Sequence, residues 1–420
     1  MKSCARELAL LASVAAGICL AADPTWPQWR GPRRDDCSTE TGLLKQWPAG
    51  GPRLRWSAAG CGVGYSSVAV TKDLIYTAGT SNQVTFVVAF DHAGTPRWRS
   101  AIGPGWEAGT QMPWAASYDG TRSTPTVDKG FVFQLSDCGL LAAFNAMDGS
   151  PVWSVDLLAR FDAPCLDYGF TESVLVDGDR VICCPGGRKG LMAALDRKTG
   201  STVWAATNSG DAASFSSPIL VEDQGFRQIV ALTENHIIAV DAGAGRLLWR
   251  HPFTNERKNN ISTPIYRKPY LFASTGYGAG SVLLKLAPQG TDMTATVVWT
   301  NAALDNAHGG VVMVDGFLYG ASHRKPAWVC LEFETGRERY RDPGVGMGSI
   351  TYADGMLFCL GERGTVALVK CMPATYTELA RFDLPKGGRG QFWAHPVVCG
   401  GRLYIRHDDR LFAYDIKEAK

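Results

Sequence analysis

The feature that most constrains this chain is a short frame that returns along it. Around Ala194–Trp204 an apolar run (Leu191, Ala193, Leu195) reaches Asp196, turns through Lys198-Thr199-Gly200 and ends in a second run at Trp204. This reads as one β-hairpin whose glycine supplies a left-handed backbone. The frame recurs as Ala143-Phe144-Asn145 to Trp153, Ala239-Val240-Asp241 to Trp249, and Cys330-Leu331-Glu332 to Tyr340. Ala89-Phe90-Asp91 reaches Trp98 one residue early. Small residue, acid or amide, glycine and aromatic hold the same offsets in the first four copies, so the chain is an internal repeat.

Each unit opens on a small polar pair that feeds an apolar run: Ser66-Ser67, Ser123-Thr124, Glu172-Ser173, Ser216-Ser217, Ser262-Thr263, Gly309-Gly310, Gly348-Ser349 and Ala394-His395. Terminal aromatics fall at Trp56, Trp98, Trp153, Trp204, Trp249, Trp299, Tyr340 and Phe382, 41 to 55 residues apart, which leaves room for four short strands per unit. The two series are offset. Trp56 has no unit of its own, and the last opening runs out of chain before its fourth strand. The economical solution is an all-β, eight-bladed β-propeller of four-stranded antiparallel blades, its ring closed by the N-terminal strand, which removes the free edge. An open solenoid would not need the split unit and a sandwich would not repeat at this period; six or seven blades follow if the Phe382 unit is not a blade.

The expected division is a signal peptide over 1–22, a lead-in over 23–50 and a single propeller over 51–417. Lys2 and Arg6 precede the apolar Leu8–Leu20, too short to span a bilayer, so the chain is expected to be exported, periplasmic or extracellular, with no transmembrane segment once mature. Ile18 stands before Cys19 where a lipid-attachment site wants a small residue. Charge is balanced, 42 basic against 40 acidic residues, which argues against nucleic acid as a partner. Of twelve cysteines, ten remain in the mature part, mostly single residues in apolar runs, and no C-x-x-C occurs. Gly276–Gly280 follows a strand and leads to another, so it lacks the helix N-terminus of a phosphate cradle. No zinc-protease His pair or nucleophile elbow is encoded, and no metal ligand set is assigned.

Repeats ending A-x-D-x-x-T-G-x-x-x-W resemble those of the pyrroloquinoline-quinone (PQQ) type β-propellers. That superfamily includes quinoprotein alcohol dehydrogenases and a propeller lipoprotein of bacterial outer-membrane assembly. Trp26–Pro32, Gly64–Ser67, His308–Gly310 and Gly348–Tyr352 look like an exported PQQ-like group from environmental bacteria. The motif is structural, so it implies the fold and leaves activity open.

In such a fold the binding mouth is built by loops entering first strands and loops joining second to third. Those loops offer Trp114, Arg122, Glu172, His308 and His395, and Arg188, Lys189, Glu234, His323, Glu362, Arg363 and Asp408. Arg122, Glu172, Glu234, His308, His323, Glu362, Arg363 and His395 are the candidate funnel residues, with His308 the first to test. They suit a small polar ligand such as a sugar, peptide or carboxylated quinone, or a protein partner. The resemblance also implies an alternative, a periplasmic PQQ-dependent dehydrogenase of alcohols or sugars, holding PQQ with calcium through acidic and amide ligands. In it Glu172 would be a ligand, Arg122 or Arg363 would meet a carboxylate, Trp114 or Trp393 would floor the ring, and Cys183-Cys184 would form a vicinal disulfide. A third reading, an outer-membrane assembly factor, implies a β-barrel insertase as partner.

Overall fold

The computed structural model describes residues 24–105, 118–207 and 210–418. Eight four-stranded antiparallel sheets succeed one another along the chain as the blades of a propeller. Blades 1 to 7 span residues 69–104, 126–156, 175–205, 219–252, 265–301, 311–342 and 348–383. Blade 8 takes its inner three strands from 397–415 and its outer strand from Arg53–Ala59. Trp56 pairs with Ala413 and Ser57 with Phe412, so the first strand closes the ring as expected. Among the described residues the one α-helix is Leu157–Phe161, capped by Asp156, whose carboxylate accepts from the Ala159 N–H. No helix among them is long and apolar enough to cross a membrane.

The recurring frame is explained by how blades dock. In the Asp and Asn hairpin turns the side chain accepts backbone N–H groups two or three residues on, as Asp196 does from Lys198 and Thr199 and Asp241 from Gly243 and Ala244, while Glu332 accepts from the Thr335 hydroxyl instead. The glycine then takes a φ near +70° and presents a bare Cα to the preceding blade. There the aromatic of that blade lies flat on it. Trp98 covers Gly149, Trp153 covers Gly200, Trp204 covers Gly245, Trp299 covers Gly336 and Trp56 covers Gly94, each so close that a Cβ would stand under 3 Å from the indole. The indole N–H donates onward to a carbonyl of the same neighbour: Trp153 to Arg197 (2.9 Å), Trp98 to Ala146 (3.1 Å), Trp56 to His92 (3.0 Å). The small partner of each aromatic (Ala89, Ala143, Ala194, Ala239) sits opposite it across the strand pair, just before a bulge.

Blade 7 departs from this register. By the position of its bulge, Ala380 opposite Leu368 occupies the aromatic slot, and Phe382 comes two residues later on the same face. Phe382 still docks, because it covers Gly51 of blade 8 and packs against Trp47 from the lead-in. Blade 7 is therefore a true blade with a displaced wedge.

Candidate functional site

The polar pairs build the wall of the axial channel. The Ser67 N–H donates to Thr124 Oγ1 (3.0 Å), Thr124 N–H to Ser173 Oγ (2.8 Å) and Ser173 N–H to Ser217 Oγ (2.9 Å), stitching blades 1 to 4. Ser67 Oγ donates to the His395 carbonyl (2.7 Å), joining blade 1 to blade 8. Extended backbone alternates its side chains, so the residue before each pair and, in blades 3 to 6 and 8, the second residue of the pair line the channel, while a first member such as Glu172 turns away from it. Each blade thus sends one side chain to the channel: Tyr65, Arg122, Thr171, Phe215, Ile261, His308, Met347 and Trp393. Below them, Ser173, Ser217, Thr263, Gly310 and His395 form a second tier. Together they enclose a funnel of about 530 Å³.

One end of the channel is closed by the lead-in, which engages every blade. Trp26 bridges to Val70 in blade 1, and the Pro27 carbonyl accepts from Val127 in blade 2. Arg34, buried, donates to the carbonyls of Ser173 and Val174 in blade 3 and Pro218 in blade 4. Arg30 donates to Thr263 and Val311 in blades 5 and 6. The Asp36 carbonyl accepts from Tyr352 N–H in blade 7 (2.8 Å), and its carboxylate lies 3.0 Å from His395 Nδ1 in blade 8 and 2.9 Å from Arg30 Nε. Trp29 and Arg30 become the floor of the funnel, the Trp29 ring 4.3 Å from that of His395. Burial lowers the His395 pKa while Asp36 raises it, and burial dominates.

The upper wall gathers aromatic rings on one side. Tyr118 stacks parallel to Trp393 at 5.3 Å, Tyr65 leans on Trp393 at 5.0 Å and His308 meets it edge-on at 5.0 Å. Glu362 Oε1 accepts from the Trp393 indole and lies 2.8 Å from His308 Nε2. Burial pushes the Glu362 carboxyl up, but these hydrogen bonds and His308 outweigh it and hold its pKa below the usual range. Arg122 donates to the carbonyls of Tyr168 (2.9 Å), Gly120 (3.3 Å) and Tyr118, with its guanidinium 5.5 Å from the Tyr65 ring centre. The His323 Nδ1 accepts from the Tyr277 N–H (3.3 Å), and burial lowers its pKa.

Of the eight candidate residues, Arg122, His308, His323, Glu362 and His395 therefore meet in one funnel. Three lie elsewhere. Glu172 is the first member of its pair, so it points behind the wall, fully buried, and accepts the Cys184 N–H at 2.7 Å. Without solvent or a full set of donors its pKa rises to about 7. Glu234 pairs loosely with Lys258 (3.6 Å) away from the channel, and Arg363 is exposed to solvent. Arg188 likewise turns outward to Asp162. Trp114 and the expected signal lie outside the described residues. Cys183 and Cys184 are both free thiols, buried in different inter-blade cores, because successive residues of extended backbone point to opposite faces. Sequence reasoning missed Trp29 and Arg30 in the lead-in, and the aromatic wall of Tyr65, Tyr118, Tyr168 and Phe215.

The donor set does not fit a quinone held with calcium. Such a site needs several carboxylate and amide oxygens at the metal and free cations for the quinone carboxylates. Among the described lining residues Glu362 is the one carboxylate, and it already serves His308 and Trp393. The guanidiniums of Arg122 and Arg30 are engaged by carbonyls and by Asp36. No group of three metal-ligating side chains occurs among the described residues.

A family model described as outer membrane protein assembly factor BamB matches residues 82–342. A curated relative, the outer membrane protein assembly factor BamB of Shewanella oneidensis, is 25% identical over 185 residues, 42% of this chain and 46% of that protein. The chain thus matches about half the length of that relative. Among solved structures, BamB from Moraxella catarrhalis superposes with a TM-score of 0.61 at 16% identity, covering 88% of this chain and 98% of that one. Quinohemoprotein alcohol dehydrogenase from Comamonas testosteroni gives 0.65 at 14% identity, covering 94% and 81%. At these identities the structural likeness speaks to fold alone. The family match spans more than half of the 420 residues, so the chain belongs to this family of PQQ-like β-propellers.

Proposed function

We propose that this chain is an exported binding module: a propeller cup, floored by its own lead-in, that captures a polar ligand bearing a flat apolar face, free or carried by a partner protein. The observation that carries the reading is the pairing of a closed floor with a two-sided wall. On one side the rings of Trp393, Tyr118 and Tyr65 lie in mutual contact, and across from them blades 3 to 5 set hydroxyl and amide groups (Thr171, Ser217, Asn259, Thr263) among the apolar Phe215 and Ile261. A concave, mostly apolar pocket with a few convergent polar groups is the form that small-ligand sites take. The description carried by the family and its curated relative, an assembly factor, accords with binding rather than turnover, and residues 1–22 would supply the export signal. The PQQ-dependent alternative draws no support from the lining residues.

Trp29 and Trp393 both line the funnel, so tryptophan emission reports its occupancy. Titration with a panel of sugars, short peptides and aromatic acids is expected to give at least one saturable change that Trp393→Ala abolishes. A panel with no saturable response, or one insensitive to that substitution, refutes the cup. Addition of PQQ and calcium is expected to give no saturable quinone absorbance change and no dye reduction with alcohols; a stoichiometric absorbance change would restore the dehydrogenase reading.

A further inference from the structure

The geometry points to an uncharged carbohydrate as the class of ligand for this funnel, an inference that rests on the binding role proposed above. A sugar ring has two chemically unlike aspects, a face of C–H groups and a rim of hydroxyls. The funnel has the same two aspects. Trp393 and Tyr118 lie parallel, 6° apart in plane, and Tyr65 leans against them, so the rings form a continuous wall against which a C–H face packs. Across the cavity, set among Phe215 and Ile261, the Ser217 and Thr263 hydroxyls and the Asn259 amide can donate, while the Thr171 hydroxyl, whose proton goes to the Phe215 carbonyl, accepts.

Charge narrows the class further. An anionic ligand needs a cation with donors to give, yet Arg122 is directed to three backbone carbonyls and Arg30 to two carbonyls and Asp36. A quaternary ammonium favours rings arranged around a void. Here the rings rest on one another, and Tyr65 already has the Arg122 guanidinium near its face. The Glu362 carboxylate uses Oε1 for both His308 and Trp393, which leaves Oε2 as an acceptor for ligand hydroxyls. Glycoside cleavage by the usual route takes two carboxylates flanking the bond. Glu362 is the one carboxylate among the described lining residues, so they do not supply the pair that this route takes. The volume, about 530 Å³, lies within the range of pockets for drug-sized ligands.

The test is calorimetric titration of the full chain with neutral glucose, xylose and mannose oligosaccharides and with uronic-acid oligomers of matched length. At least one neutral series is expected to bind and the uronic-acid series more weakly. Trp393→Ala is expected to weaken binding about tenfold or more, and Glu362→Gln to weaken it while leaving the unfolding midpoint near that of the parent. Because Trp393→Ala also removes packing, Thr171→Val serves as a second variant on the opposite wall, with a several-fold loss expected. If no neutral oligosaccharide binds while a peptide, aromatic acid or uronic acid does so in a Trp393-dependent way, the carbohydrate assignment falls and the cup stands. If nothing binds, both fall.

Discussion

Gly200→Ala puts the docking of neighbouring blades to a direct test, because blade 3 carries its own control. Gly200 has φ +69°, and a Cβ there would stand 2.8 Å from Trp153 Cδ2 and 3.2 Å from Val155. Gly178, in the first turn of the same blade, has φ +62° with nothing within 4 Å of the added atom. Alanine at either position bears the left-handed backbone, about 1 kcal/mol. Alanine at 200 must also displace an indole that is hydrogen-bonded to the Arg197 carbonyl at 2.9 Å, adding an overpacking cost of about 2 kcal/mol. Urea unfolding is therefore expected to show a loss of about 3 kcal/mol for Gly200→Ala and about 1 kcal/mol for Gly178→Ala. In a Trp153→Leu background the excess at 200 should shrink, since the clashing ring is gone. Equal losses for the two glycines, or an excess that survives Trp153→Leu, would show that the glycine serves its own turn and not the wedge.

Other consequences follow from the buried groups. The Glu172 carboxyl, raised to about 7, keeps in the folded state a proton that the unfolded chain releases in the ordinary glutamate range, so stability falls as pH rises towards 7. Glu172→Gln keeps the acceptor for the Cys184 N–H and should flatten that slope in urea titrations between pH 5 and 7.5; parallel slopes would contradict it. Arg30→Met leaves Asp36 buried beside His395 without its cation and is expected to destabilise by about 3 kcal/mol or more in the same assay, against less than about 1 kcal/mol for Arg53→Met in an exposed pair. A thiol reagent should modify exposed Cys165 first in the native protein, whereas Cys183, Cys184 and Cys359 should react only on unfolding; prompt labelling of those buried thiols would contradict the packing.

The ring was legible because its docking device is local. Small residue, acid, glycine and aromatic fall within about a dozen residues, so their offsets survive in the sequence, and the unmatched Trp56 strand pointed to the closure that the Trp56–Ala413 pair makes. Phe382 read as weak because its bulge shifts the aromatic by two residues. The funnel was legible in half. The residue before each polar pair faces the axis in all eight blades, a signal present in the sequence; reading it would have found Tyr65, Thr171, Phe215 and Ile261 and set Glu172 aside. The floor left no such signal. Arg30, Arg34 and Asp36 all take positive φ, so the lead-in coils without any period, and its partners lie up to hundreds of residues away in eight different blades.

The lead-in as the floor of the cup is the claim on which every statement about the funnel depends. Hydrogen exchange tests it most directly. The Asp36 N–H donates to the Arg30 carbonyl, Ser38 N–H to Tyr352 and Tyr352 N–H to Asp36. These amides should exchange as slowly as those of the ring-closing pair of strands, Arg53–Ala59 and Arg410–Asp415. Exchange of the Arg30–Ser38 amides at the rate of an exposed loop, with the blades still protected, would leave the channel open at both ends and contradict the account.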